Sequence, residues 1–295
     1  MTPNYRLLDI KYLITKKIPL IVLGKIKRNL LPVYYVRWSN NFGDLLTLMI
    51  LKYYGFTPVF SYQKRAKCVV IGTILELIPF DFSGYILGSG WTRSRKGNFP
   101  NAIFMGVRGF LTKEYLDIKD DVCIGDPGLL ISEIYPCSKL EKKYKLGIIP
   151  HESEIEDSKT KKIKNRLGNK CIIISPRNRN PQKVLELINS CEYIVSSSLH
   201  GLIVSDSYGI PNGWIKINEI DDSKDFKFYD YYSSLGETLT PFQINGNEFI
   251  EDFINICRTP QVAKIMKIRE KLNRMFLNFK IDIHKCCLLY TSDAA

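Results

Sequence analysis

Glu192-Tyr-Ile-Val-Ser-Ser-Ser-Leu-His200-Gly-Leu-Ile-Val-Ser-Asp-Ser-Tyr-Gly-Ile-Pro211 reads as a short apolar strand, Tyr193 to Val195, followed by a hydroxyl-rich turn and a helix. The helix stops at Gly209 and passes through Pro211 to a second strand-like run, Trp214 to Ile217. The first N–H groups of a helix lack intrahelical partners, so a strand-to-helix turn is a natural seat for an anion. Ser196, Ser197, Ser198 and His200 converge on that seat, and they are residue types that hold phosphate or carboxylate and move a proton. The same residues also fit a plainer role, in which the serines cap the helix and His200 donates to a nearby carbonyl.

Working outward, the strand–helix alternation continues in both directions and predicts an α/β class. Upstream, Cys171 to Ile174 is a strand that runs into Ser175-Pro-Arg177-Asn-Arg179-Asn-Pro181, with Pro181 opening the next helix. Arg177 and Arg179 thus leave a strand end one crossover before the His200 turn, where a guanidinium fork could grip phosphate. Leu146 to Pro150 is the strand before it, with His151 behind, and the charge-rich run 138–145 is linker-like. Nearer the N-terminus, Val33 to Trp38 reads as a strand and Leu45 to Tyr54 as a helix. Between them Asn41, Gly43 and Asp44 form a loop. Gly43 permits close backbone approach, and Asp44 sits where it can cap the helix. Cys68 to Gly72 and Tyr85 to Gly88 are buried-type strands, and Gly88-Ser89-Gly90 lies at the carboxyl end where ligands of parallel sheets gather. Arg93, Arg95 and Lys96 follow as a basic rim. Ala102 to Val107 and Val122 to Ile124 are further strands, followed by Arg108-Gly109 and by Gly125-Asp126-Pro127, which reads as a turn. Phe226 to Gly236 is expected to be irregular, its aromatics anchoring a loop, and Glu248 to Cys257 and Val262 to Phe276 to be helices.

Composition bounds the partners. The chain of 295 residues is 45% hydrophobic and carries a net charge of +12, which suits polyanionic substrates or an anionic surface. No nucleic-acid motif or aromatic-interleaved basic platform is present, so nucleic acid is not the expected partner. Eight cysteines without a Cys-x-x-Cys pair, beside three histidines, predict no metal site and a reducing cytoplasm. The N-terminal segment, Tyr5 to Leu31, mixes Leu and Ile with Lys and Arg, and its uncharged run is far shorter than the ~20 residues of a membrane span. It is expected to pack on the body, with peripheral contact to anionic lipid as the other reading. The last residues, Cys287-Leu-Leu-Tyr-Thr-Ser-Asp-Ala-Ala295, resemble an in-frame sequencing adapter and are set aside as non-native. The expected organisation is an arm over residues 1–32, Rossmann-like domains over 33–140 and 141–285 with a terminal helix packing back on the first, and a tail over 286–295.

Ser197-Ser-Leu-His200-Gly-Leu-Ile-Val, followed by Tyr208-Gly-Ile-Pro211, resembles the signature of the polysaccharide pyruvyl transferase family. Asn41-Phe-Gly-Asp44, Gly88-Ser-Gly90, Val107-Arg-Gly-Phe-Leu-Thr112 and Ile124-Gly-Asp-Pro127 resemble other pieces of that family, in its order. One departure stands out: many members have an arginine just before the Leu-His pair, where this chain has Ser198. The resemblance implies two Rossmann-like domains facing a cleft, similar to the glycosyltransferase-B architecture. It implies transfer of a pyruvyl group from phosphoenolpyruvate to a sugar of a cell-surface glycan or lipid-linked oligosaccharide, without a cofactor. The expected location is the cytoplasm, with the inner face of the membrane as the further reading of the basic N-terminal segment. His200 would move the proton, its unperturbed pKa near ~6.5 suiting the task. Asn41, Gly43, Asp44, Gly88, Ser89, Gly90, Arg108, Arg177, Arg179 and the three serines would contact the substrates, Asp44 through an acceptor hydroxyl. A nucleotide-sugar glycosyltransferase and a non-catalytic glycan-binding protein are the alternatives.

Overall fold

The computed structural model describes residues 12–27, 29–37, 41–92, 96–137, 140–218 and 225–292. They form a mixed α/β protein of two wholly parallel sheets flanked by helices. After helix α1 (Ile18–Ile26), the first sheet takes β1 (Leu30–Val33), β2 (Thr57–Phe60), β3 (Cys68–Val69), β4 (Tyr85–Leu87), β5 (Ile103–Val107) and β6 (Cys123–Ile124), in the order β2-β1-β3-β4-β5-β6. The second takes β7 (Tyr144–Ile149), β8 (Cys171–Ile173), β9 (Cys191–Ser196), β10 (Asn212–Lys216) and β11 (Phe242–Gln243), in the order β8-β7-β9-β10-β11. Read from its own first strand, each sheet begins 2-1-3-4-5, so the chain uses one open, doubly wound order twice. In such sheets the order reverses beside the first strand, and a crevice opens there at the carboxyl ends.

Helix α2 (Phe42–Tyr53) follows β1, α3 (Phe110–Tyr115) follows β5, α4 (Ser158–Leu167) follows β7, α5 (Pro181–Asn189) follows β8 and α6 (Leu199–Ser207) follows β9. Near-continuous apolar strands such as Leu146, Ile148 and Ile149 are buried on both faces, as a helix-covered parallel sheet requires. Helices α7 (Phe226–Ser234) and α8 (Ile250–Ile256) precede the long α9 (Val262–Ser292). The last crosses back to the first sheet, where Phe276 stacks on Tyr54 at 4.7 Å and Phe279 meets Phe56 and Tyr85 edges at 5.3 and 5.1 Å.

Besides the earlier start of α2, three elements differ from the sequence reading. The first strand is Leu30–Val33 rather than Val33 to Trp38. Pro32 is tolerated because its carbonyl accepts from the Lys67 amide at 2.8 Å, so its missing N–H would point at residues ahead of Cys68, where β3 has not begun. The segment from Phe226 is a helix, with Phe228, Tyr231 and Tyr232 buried at helical spacing; it anchors to the core as expected, Phe228 stacking on Trp214 at 4.4 Å. Helix α9 runs past Phe276, since Phe279 and Ile283 keep its apolar face in the core and no Gly or Pro intervenes. Residues 1–11 of the arm, Arg93 and Arg95 lie outside the described residues.

Candidate functional site

Residues that follow the carboxyl ends of both sheets meet. Asn41 caps α2, its Oδ1 accepting from the Gly43 amide at 3.0 Å, so the helix starts earlier than expected and Asp44 falls inside its first turn. Asp44 is thereby released from capping. The Phe42 amide donates to the Pro176 carbonyl at 2.9 Å, and Asn41 forms a bridge with Arg177, which ties the loop after β1 to the loop after β8. The imidazole of His200, in the first turn of α6, lies on Gly43: a Cβ there would stand 2.2 Å from His200 Nδ1. Glycine is required at 43 by this close approach.

The electrostatics around that contact are inverted from the ordinary. His200 is 9% exposed and its Nε2 is buried with no partner among the described residues. Burial, then the Arg108 and Lys227 cations, pull its pKa down to about 3, so the ring is neutral at physiological pH. Asp44 is also 9% exposed. Burial, then the Glu152 carboxylate, push its pKa up to about 8 against the pull of Lys227, so its carboxyl is protonated at neutral pH. Asp126 is fully buried, with Oδ1 accepting from the Gly128 amide at 2.8 Å as a turn residue should and Oδ2 unpartnered. Burial raises its pKa to about 6, opposed by the Gly128 amide and Arg108. Ser89 Oγ and Glu152 Oε2 are further buried atoms without partners among the described residues. Buried polar atoms are nearly always paired in folded proteins, so a group of orphans at the ends of two parallel sheets marks a place built for something else.

Arg108 holds the group together. Its Nε pairs with Asp230 Oδ2 at 2.7 Å, both side chains fully buried, while Nη1 donates to Thr73 Oγ1 at 2.6 Å and Nη2 to the Trp91 carbonyl at 3.2 Å. Asp230 accepts in addition from the Thr112 amide and hydroxyl, each at 2.7 Å, so α7 is clamped to the start of α3. Gly90 makes room for this arginine, for a Cβ there would lie 2.1 Å from Arg108 Cζ. Gly88 packs likewise on Pro127. Three of the five N–H donors of Arg108 are thus held inside the protein, and its charge is felt at His200 and Asp126.

The serine turn is also partly committed. Ser196 Oγ lies 2.8 Å from the Ile149 and Ser198 carbonyls and accepts from the Ser198 amide at 2.9 Å. Ser197 Oγ donates to Glu154 Oε2 at 2.7 Å and accepts from the His151 amide at 2.8 Å. Ser198 is the N-cap residue of α6 and makes no side-chain cap. Two of the three hydroxyls thus stitch β9 to the end of β7. Arg177 and Arg179 are exposed. The sequence reading did not single out Lys227, Glu152, Thr73 or Asp230. Helical spacing of Phe228, Tyr231 and Tyr232 was the available signal for placing Lys227 and Asp230 on one helix; nothing local marks Glu152 or Thr73.

The chain is 27% identical over 223 residues to the succinoglycan biosynthesis protein ExoV of Rhizobium meliloti, covering 72% of this chain and 67% of that one. It is 34% identical over 256 residues to an uncharacterized protein of Acanthamoeba polyphaga mimivirus, covering 76% and 82%. The family described as polysaccharide pyruvyl transferase matches residues 17–219, which span both sheets through β10 and contain Asp44, Arg108 and His200. The chain belongs to the polysaccharide pyruvyl transferase family.

Proposed function

We propose that the protein moves a pyruvyl group from phosphoenolpyruvate to two hydroxyls of one sugar in a cell-surface glycan, forming a cyclic ketal and releasing phosphate. The substrates occupy the cleft between the two Rossmann-like halves, where the carboxyl ends of the sheets approach. The observation that carries this reading is the neutral His200, its Nε2 without a partner among the described residues, lying on Gly43, next in sequence to a protonated Asp44, and within the field of two cations. Phosphoenolpyruvate needs a proton at its methylene carbon, which becomes the ketal's methyl group. Asp44 supplies it as the acid, and a group kept protonated to about pH 8 is matched to that task. One sugar hydroxyl adds to the adjacent carbon as His200 takes its proton. The donor's phosphate and carboxylate beside the imidazole offset the Arg108 and Lys227 cations and raise its basicity. The carbon–oxygen bond to phosphate breaks, and the second hydroxyl closes the ring. Of the two hydroxyl protons, one restores Asp44 and the other leaves with phosphate. Arg108 and Lys227 supply the positive potential that the donor's phosphate and carboxylate require.

The test is incubation with isotope-labelled phosphoenolpyruvate and lipid-linked glycans, reading released phosphate and glycan mass. Label in the glycan, with one phosphate per ketal, is expected. His200→Ala should lose transfer while its circular dichroism stays that of the parent; near-normal turnover would remove His200 from the chemistry. Thermal stabilisation by a nucleoside diphosphate, but not by phosphoenolpyruvate, would overturn the reading in favour of glycosyl transfer.

A further inference from the structure

We infer that the outer face of α1 docks on an anionic lipid surface. The helix is pinned on its inner side: Gly24 is buried against Leu30, and the Asn29 amide donates to the Gly24 carbonyl at 3.0 Å. Its other side carries Ile18, Val22, Leu23 and Ile26, all exposed, Val22 at 53% and Ile26 at 75%. At 100° per residue these four fall within an arc of roughly 140°. Lys25 lies about 20° outside one edge of that arc and Lys27 about 40° outside the other. Lys16 and Lys17 stand in the turn before the helix. No aspartate or glutamate occurs between Ile10 and Gly43. An apolar stripe edged on both sides by lysines is the pattern of a helix lying in a membrane interface, its aliphatics among acyl chains and its ammonium groups at lipid phosphates. At 9 residues α1 is too short to span, and among the described residues no helix is long and apolar enough to cross a membrane. A second copy of the chain is a poorer occupant, because a symmetric contact would set lysine against lysine.

The surface is independent of the pyruvyl-transfer reading and is tested without turnover. The purified chain is sedimented with vesicles of phosphatidylcholine alone or mixed with phosphatidylglycerol. Binding is expected to the mixed vesicles only, and to weaken with salt. Lys25→Gln with Lys27→Gln should lower partitioning roughly thirtyfold, each lysine contributing about fivefold. Val22→Ser with Ile26→Ser should lower it by at least about tenfold. All four side chains are exposed, so circular dichroism should not change. Equal binding to both vesicles, or variants that bind as the parent does, would refute the inference. So would a dimer in sedimentation velocity that Val22→Ser with Ile26→Ser dissolves, which would make this face a contact between copies.

Discussion

Asp44→Asn should remove part of the protein's pH dependence, by an amount that follows from one pKa. In the unfolded chain Asp44 titrates at its ordinary 3.8; in the folded protein burial and Glu152 hold it protonated to about 8. Between those values the folded state binds one more proton than the unfolded state, so this group makes stability fall as pH rises. The slope inside the window is about 1.4 kcal/mol per pH unit, and from pH 5 to pH 7 the loss is about 2.7 kcal/mol. Asparagine mimics the protonated acid and does not titrate. His200, depressed to about 3, contributes the opposite slope between 3 and 6.5 but is common to both proteins and cancels in the difference. Urea unfolding followed by tryptophan fluorescence at pH 5, 6 and 7 should show the variant gaining on the parent at each step. With an m-value of about 3 kcal/mol/M, the midpoints should separate by roughly 0.9 M more at pH 7 than at pH 5. Parallel profiles would mean that Asp44 is ionised in the folded protein, and the acid assigned to it would be lost.

Other consequences can be checked separately. Asp230→Ala leaves Arg108 buried without its counter-charge and should destabilise the fold by about 3–5 kcal/mol, measured by urea unfolding at neutral pH. Gly43→Ala drives a methyl into the buried His200 ring, and transfer should fall at least about a hundredfold as the imidazole is displaced by about an ångström, with stability lowered by about 1–3 kcal/mol in urea unfolding. Lys227→Gln removes a cation that acts on both His200 and Asp44, so KM for phosphoenolpyruvate should rise about tenfold and the alkaline limb of the pH–rate profile should move upward, since Lys227 lowers the Asp44 pKa.

How much of this could be read from the chain depends on sequence distance. The turn at His200 was legible because strand, hydroxyls, helix and Gly209 stop are contiguous, and the structure places β9 and α6 there. The two open sheets follow from apolar runs that are local too. Boundaries failed where a local rule was overridden, as at Pro32, whose missing N–H faces a neighbour not yet in strand. The site itself was less legible because its parts join across the chain. Arg108 and Asp230 are paired at 122 residues' separation, and nothing near either position announces the other. At the glycine loop the structure adds a role that no local pattern shows: Gly88 and Gly90 make room for the side chains of Pro127 and Arg108.

Because Gly43 belongs to the first turn of α2, after β1, and His200 to the first turn of α6, after β9, the spacing between the two sheets is transmitted to a single ring through one Cα. Parting the halves would let water reach Nε2 and carry the imidazole back toward its solution basicity, while drawing them together strips the proton away. Docking of the two sheets and lowering of the ring's basicity would then be one event, with the proton count of His200 as its gauge.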